Sequence, residues 1–384
     1  MRRLTFAAAL SATLTAAPSA TQDFPRGQII DNVACAADAT QTYALYLPST
    51  FTPAKTWSLI IAFHPGARGR AMVEKFQAGA EQYGYIVAGS NTSRNGSMQA
   101  SIASVQAMSA DLGTRFPIDP ARLYTAGMSG GARVAMEVAL ASGKVAGVIA
   151  SSASYPDAEP RKSVPFAIFG TAGTEDFNNL EMRRMDEALT TPHRLAIFDG
   201  GHSLPPNDIA LQAIEWLELQ AMKSNRRPRD ESLIDRLLTV RQKAATELKD
   251  PKDQALAWSA IVTDFGGLRD VKDASAKADA LLKQKEIKTA LKRDKEDVDT
   301  EEHLFSDIFE LEGGLRNGDT HADSLARLSS LLSGLSRDAK KPVDSIDRRR
   351  ARRMLRGLAS GGFERTHDAD YQKLLEKYRF TGGA

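Results

Sequence analysis

Residues 41–221 carry two hydrophobic rhythms. Short β-branched or aromatic runs read as strands: TYALYLP, SLIIAFH, YIVAGSN, RLYTAGM, VAGVIASSA, PFAIFG and HRLAIFDG. Between most of them lie stretches with apolar residues three and four apart, which predict helices over Ala71–Tyr83, Met98–Arg115, Gly131–Ser142 and Asn178–Leu189. SLIIAF and VAGVIA are apolar at almost every position, the pattern of strands buried on both faces in a parallel sheet covered by helices. A last helix, Asp208–Met222, carries Trp216 and Leu217 among its apolar positions.

After Lys223 the pattern changes. SNRRPRDES is polar and contains Pro228, so it reads as a linker. From Ser232 onward the chain is charged and helix-forming, with Leu233, Leu237, Leu238, Val240 and Ala244 at helical spacing. GGLRD, LEGGLRNGD and LSGLSRDAKKP interrupt it as turns, which predicts four to six antiparallel helices and no strand. Tandem hairpins of the tetratricopeptide sort fit this rhythm, although neither their period nor their consensus is found. The expected division is a signal segment at 1–20, an α/β domain at 21–223, a linker at 224–231 and an all-α accessory domain at 232–384. On that division a chain ended near Asn225 folds and acts alone. The helices then serve larger substrates, a protein partner or stability.

The N-terminus MRRLTFAAALSATLTAAPSA places arginines before a short apolar stretch and small residues, the layout of a secretory signal. The expected location is therefore periplasmic or secreted. Cys35 is the only cysteine, so a hydrophobic core rather than an intrachain disulfide must hold the chain. A formal net charge of +2 over 384 residues gives no strong attraction to nucleic acid or to anionic membrane. After the N-terminus no apolar run reaches the roughly 20 residues that span a bilayer.

The chemistry centres on LYTAGMSGGARVA. Gly127-Met128-Ser129-Gly130-Gly131 fits G-x-S-x-G between a strand and a helix, where glycines permit a sharp turn and leave the serine hydroxyl exposed. A serine needs a base, and the base needs a carboxylate to fix its tautomer. His202, in FDGGHSLPP, lies past the last strand; His193 begins that strand and reads as structural. His303, His321 and His367 lie in the helical region, where surface histidine is the ordinary case. GTEDFNN places Glu175 and Asp176 past the preceding strand, and Asp176 is the candidate acid, with Glu175 the alternative. The order Ser129, Asp176, His202 is that of α/β-hydrolases. Candidate oxyanion donors are the N–H groups of Gly130 and of Gly66 or Ala67, in the loop HPGARGR; Pro65 has no N–H to give. His64 then serves as scaffold. Arg68, Asn91, Arg94 and Asn95 are substrate-binding candidates, and Arg70 could join them. The basic run DRRRARRMLR (Asp347–Arg356) reads as a solvated helix face with Met354 and Leu355 inward, or as a polyanion dock.

Through YALYLP, IDPARLYTAGMSGGARVA and GGHSLPP, residues 41–222 resemble the α/β-hydrolase esterase branch that includes polyhydroxybutyrate depolymerases and feruloyl esterases. The chain departs from that branch at Pro65, at Leu204 after the histidine and in lacking paired cysteines. The resemblance implies a serine ester hydrolase working through an acyl-serine, with no metal or organic cofactor, on a small or polymeric ester. The same triad cleaves amides, so an acyl-peptidase is the alternative within that class. A binding scaffold with a vestigial site is the alternative outside it.

Overall fold

The computed structural model describes residues 23–360 and 368–380. The expected signal segment and His367 lie outside those residues.

The strands are β1 (Ile29–Ala34), β2 (Thr42–Tyr46), β3 (Trp57–Phe63), β4 (Tyr85–Ser90), β5 (Ile118–Met128), β6 (Gly147–Ser151), β7 (Ala167–Gly173) and β8 (His193–Phe198). They form one sheet in the order β1-β2-β4-β3-β5-β6-β7-β8. From β4 to β8 every pairing is parallel; β2 is antiparallel to β4 and to β1. The sequence pattern gave no signal for β1. Only Val33 of that strand is buried, because it lies at the sheet edge.

Alternate residues of the central strands enter separate cores, as the two-residue strand period requires. Leu59, Ile61 and Phe63 pack under α2 (Met98–Arg115), α3 (Gly130–Ser142) and α4 (Asn179–Ala188). Ile60 and Ala62 pack under α1 (Gly69–Tyr83) and α5 (Asn207–Lys223). Both faces are covered, which explains the continuous apolar runs.

The second half is helical throughout: α6 (Glu231–Glu247), α7 (Pro251–Phe265), α8 (Lys272–Leu282), α9 (Lys285–Gly314), α10 (Gly318–Ala339), α11 (Ile346–Ala359) and α12 (Ala369–Tyr378). The described residues thus hold one helix more than the upper bound read from the turns, because short breaks such as Lys283-Gln284 carry no glycine or proline.

This half is joined to the sheet domain by more than a linker. Leu219 and Met222 of α5 share a core with Leu233, Ile234, Leu237, Trp258, Ile261 and Phe265. Trp216 Nε1 donates to Asp264 Oδ1 at 2.9 Å, and Arg194 pairs with the same carboxylate. Arg241 meets Glu215 at 2.9 Å. Glu218, buried on α5, pairs with Arg122 of β5 and with Arg227 from the supposed linker. The two halves of the chain are thus packed and ion-paired against each other.

The basic run has Met354 and Leu355 inward as expected, but it is not wholly a solvated face. On α11, Arg353 is 4% exposed and meets Glu301, itself 1% exposed, with Nε at 3.0 and 3.2 Å from the two carboxylate oxygens. Arg350 and Arg353 both reach Asp297, at 2.6 and 3.1 Å. Together with Met354 and Leu355, these arginines face inward. Periodicity could not reveal this, because the acidic partners lie on α9.

Candidate functional site

Ser129 sits between the carboxyl end of β5 and the first residue of α3, with φ of +52° and ψ of −125°. That backbone is strained for a non-glycine residue. Two glycines make the turn possible. A Cβ on Gly127 would fall 2.1 Å from the Gly131 carbonyl oxygen, and one on Gly131 would fall 2.2 Å from the Phe63 carbonyl oxygen. The Ser129 N–H is held by the Ser151 carbonyl of β6 at 2.8 Å. Behind the turn, Arg133 of α3 donates to Glu181 of α4 at 2.7 and 3.0 Å, and Glu181 also takes the N–H and hydroxyl of Ser154.

Past β7 and β8 the structure brings Asp176 and His202 together. His202 Nδ1 lies 2.7 Å from Asp176 Oδ1, which also accepts the Asn178 N–H at 2.9 Å. Asp176 is 0% exposed, and its Oδ2 has no hydrogen-bond partner. The Phe177 ring stacks on the imidazole with centroids 3.9 Å apart. Nothing in the sequence pattern pointed to Phe177, although its place beside the acid was a possible clue. Glu175 turns away from the imidazole, toward Arg352 and Arg356 of α11.

The remaining histidines are placed elsewhere. His193, at the opposite end of β8, lies 2.7 Å through Nδ1 from the Thr191 carbonyl. His321 pairs with Asp368, and His303 with the Asp299 carbonyl. His64 is 3% exposed and lies with Nε2 2.8 Å from Arg68 Nη2. Burial, and then the Arg68 charge, push its imidazole down from 6.5 to about 4, so it is neutral near pH 7.

The loop after β3 departs from an open anion site. The Gly66 N–H donates to His64 Nδ1 at 2.9 Å, and the Ala67 N–H to the His64 carbonyl at 3.0 Å. Both expected second donors are thus engaged within their own loop. Gly130 begins α3, where the first-turn N–H groups have no partner inside the helix. Asn95 lies directly over it: a Cβ on Gly130 would fall 1.8 Å from Asn95 Oδ1.

Arg94 is exposed beside Gly66, with which it forms a β-bridge. Asn91 points the other way, donating to the Asp31 carbonyl at 2.9 Å and tying β4 to β1. Arg70 is occupied by Asp31 and Glu74. A cavity of about 350 Å³ lies between the acid loop and α9, lined by Phe177, Asn178, Phe305, Ile308 and Phe309 among others. A larger one of about 580 Å³ lies at the amino ends of β6 to β8, beside Pro192 and His193. The smaller reaches Phe177, which stacks on His202, and Asn178, which donates to Asp176, but Ser129, Asp176 and His202 line neither cavity. Among the described residues no group of three or more His, Cys, Asp and Glu is placed to hold a metal ion, and no helix is long and apolar enough to cross a membrane.

The sheet order, the antiparallel second strand and the turns after β5, β7 and β8 together decide the architecture. The chain has the α/β-hydrolase fold. No family model matches it, and no curated protein matches it. Among solved structures it is similar to the Staphylococcus aureus fluorophosphonate-binding serine hydrolase FphF, at 14% identity over 50% of this chain and 99% of that one, with a TM-score of 0.39. A ferulic acid esterase matches at 16% identity, over 49% and 94% of the two chains, with a TM-score of 0.38. An esterase of Pyrobaculum calidifontis matches at 10%, over 52% and 85%, with a TM-score of 0.39. The order of the strands, not these likenesses, carries the assignment of the hydrolase fold.

Proposed function

We propose that this chain is a serine ester hydrolase that works through an acyl-serine intermediate. The observation that carries the reading is the Asp176–His202 contact of 2.7 Å, on the loops after β7 and β8, in a sheet whose β5 ends in the strained Ser129. In this reading Asp176 fixes the imidazole with its proton on Nδ1. His202 Nε2 then takes the Ser129 proton as the hydroxyl attacks the ester carbonyl, and returns it to the leaving alcohol. Water repeats the cycle on the acyl-serine. The Gly130 N–H at the start of α3 stabilises the oxyanion, aided by the helix dipole. A second donor from Gly66 or Ala67 requires the His64–Arg68 loop to release one N–H.

The substrate we infer is a feruloyl, acetyl or polyester-type ester, approached past Arg68, Arg94 and Asn95. The N-terminal segment, with its arginines and small residues, supports action in the periplasm or outside the cell. The engaged Gly66 and Ala67 N–H groups favour one rival, a binding scaffold with a vestigial site.

A fluorophosphonate probe separates the two readings. The full chain is expected to take up the label and to hydrolyse nitrophenyl acetate, and Ser129→Ala should do neither while keeping its fold. Asp176→Asn should lower kcat on the order of 10⁴-fold by favouring the wrong tautomer. A folded chain that neither labels nor turns over any ester in a panel would leave the scaffold reading.

A further inference from the structure

The acid loop is gripped from outside the hydrolase fold. Arg352 Nη1 donates to Glu175 Oε1 at 2.8 Å, and Arg356 Nη1 to Glu175 Oε2 at 2.7 Å. The same Arg356 nitrogen lies 3.3 Å from the Glu175 carbonyl. Arg353 Nη1 donates to the Thr174 carbonyl at 2.9 Å. One face of α11 thus holds the two residues immediately before Asp176. The helix is itself held: Arg352 Nε donates to the Ala339 carbonyl at 2.9 Å, and Arg353 is paired with Glu301.

One carboxylate oxygen of Asp176 has no hydrogen-bond partner within the protein, and the other is shared between the Asn178 N–H and His202. Its neighbour Glu175 is a second carboxylate on the same loop. With each Glu175 oxygen accepting from a different arginine, that group is drawn away from the imidazole. The Glu175 N–H donates to the Gly200 carbonyl at 2.8 Å and the Thr174 N–H to the Phe198 carbonyl at 2.8 Å, so the held loop is also zipped to the loop that carries His202.

We propose that Arg352 and Arg356 are positioning residues of the candidate catalytic centre: by holding Glu175 they brace the acid loop so that Asp176 stays within hydrogen-bond reach of His202. The catalytic consequence rests on the serine-hydrolase reading above, whereas the pairing itself does not require turnover.

The test uses the full chain and reads two signals. One is kcat and KM on nitrophenyl acetate. The other is the far-downfield proton resonance of the His202 Nδ1–H, assigned by its absence in Asp176→Asn. Arg352→Ala/Arg356→Ala should lose tenfold to a hundredfold in kcat, the scale expected when a reacting group shifts by about 1 Å. KM should stay within about twofold, and the resonance should broaden or vanish. Arg356→Lys, which keeps a charged donor, should retain most of both signals. Arg349→Ala, on the same helix but paired at the surface with Asp344, should behave as wild type. Glu175→Ala opens the same grip from the loop side and serves if the double arginine variant does not fold. Combined with Arg356→Ala, it should add little further loss, because the two substitutions break one interaction.

In an active enzyme both signals must fall together, and a folded variant in which only one falls, or neither, overturns the proposal. If the wild type hydrolyses no ester, the reading of function fails and the resonance alone decides. Its loss in the folded variants then supports the grip. Its persistence there, or its absence from the wild type, overturns it.

Discussion

Replacing Arg353 by methionine tests how the helical half is built. Methionine keeps most of the side-chain volume, so the change is mainly electrostatic. Asp297 still has Arg350 at 2.6 Å, but Glu301 loses its guanidinium partner while remaining buried. Breaking one side of a buried pair costs about 3–5 kcal/mol. At about 2–4 °C per kcal/mol, that lowers Tm on the order of 10 °C.

The effect must depend on pH. Burial already holds the Glu301 carboxyl above its ordinary 4.5, with Arg353 opposing the shift. Without Arg353 it rises further. A carboxyl whose folded pKa exceeds its unfolded value binds its proton more tightly when folded. Stability is then present below the ordinary value and lost as pH rises above it. The gap between wild type and variant should therefore be small near pH 4.5 and widen toward pH 7.5. Thermal unfolding of the full chain at both pH values, followed by circular dichroism, measures it. Removing both partners in Glu301→Leu/Arg353→Met should restore most of the stability, since a packed apolar pair substitutes well for a buried ion pair. A gap equal at both pH values, or a double variant as weak as the single, would refute the electrostatic account.

Two further outcomes follow from the contacts described above. His64 is held near 4, below its unfolded value of 6.5, so its contribution is complete above pH 6.5 and is lost, up to about 3 kcal/mol, as pH falls toward 4; in His64→Gln, unfolding at pH 7.5 and 5 should show a weaker acid destabilisation than wild type, and an equal slope would contradict it. A chain ended at Asn225 should be insoluble or inactive, because it bares Leu219 and Met222 and strips Glu218 of Arg227, Trp216 of Asp264 and Glu175 of its arginines; a soluble, monodisperse fragment with ester turnover would show these contacts to be dispensable.

The sheet was readable because both of its faces are buried. Runs such as SLIIAFH need no knowledge of distant neighbours, and the glycines around Ser129 announce a local turn. The strand β1 stayed hidden because an edge strand with mixed polarity makes no such run. The candidate pair of Asp176 and His202 was legible by position, each lying past its own strand. The competition between Glu175 and Asp176 was not, because what draws Glu175 away lies on α11, far along the chain. The same distance hid the state of the His64 loop: which N–H groups are engaged is a matter of three-dimensional geometry that HPGARGR does not encode by pattern. Charge runs mislead for a related reason. DRRRARRMLR looks solvated until Glu301, Asp297 and Glu175 are brought against it.

The grip of α11 on Glu175 also bears on when the protein becomes competent. Ser129, Asp176 and His202 emerge early in synthesis, whereas Arg352 and Arg356 emerge long after β8 is complete. A nascent, stalled or clipped chain can therefore carry all three proposed catalytic residues and still lack the brace on its acid loop. On the proposed reading, completion of the site is then tied to synthesis of the chain through Arg356, and proteolytic removal of the last helices would weaken the proposed activity without touching Ser129, Asp176 or His202.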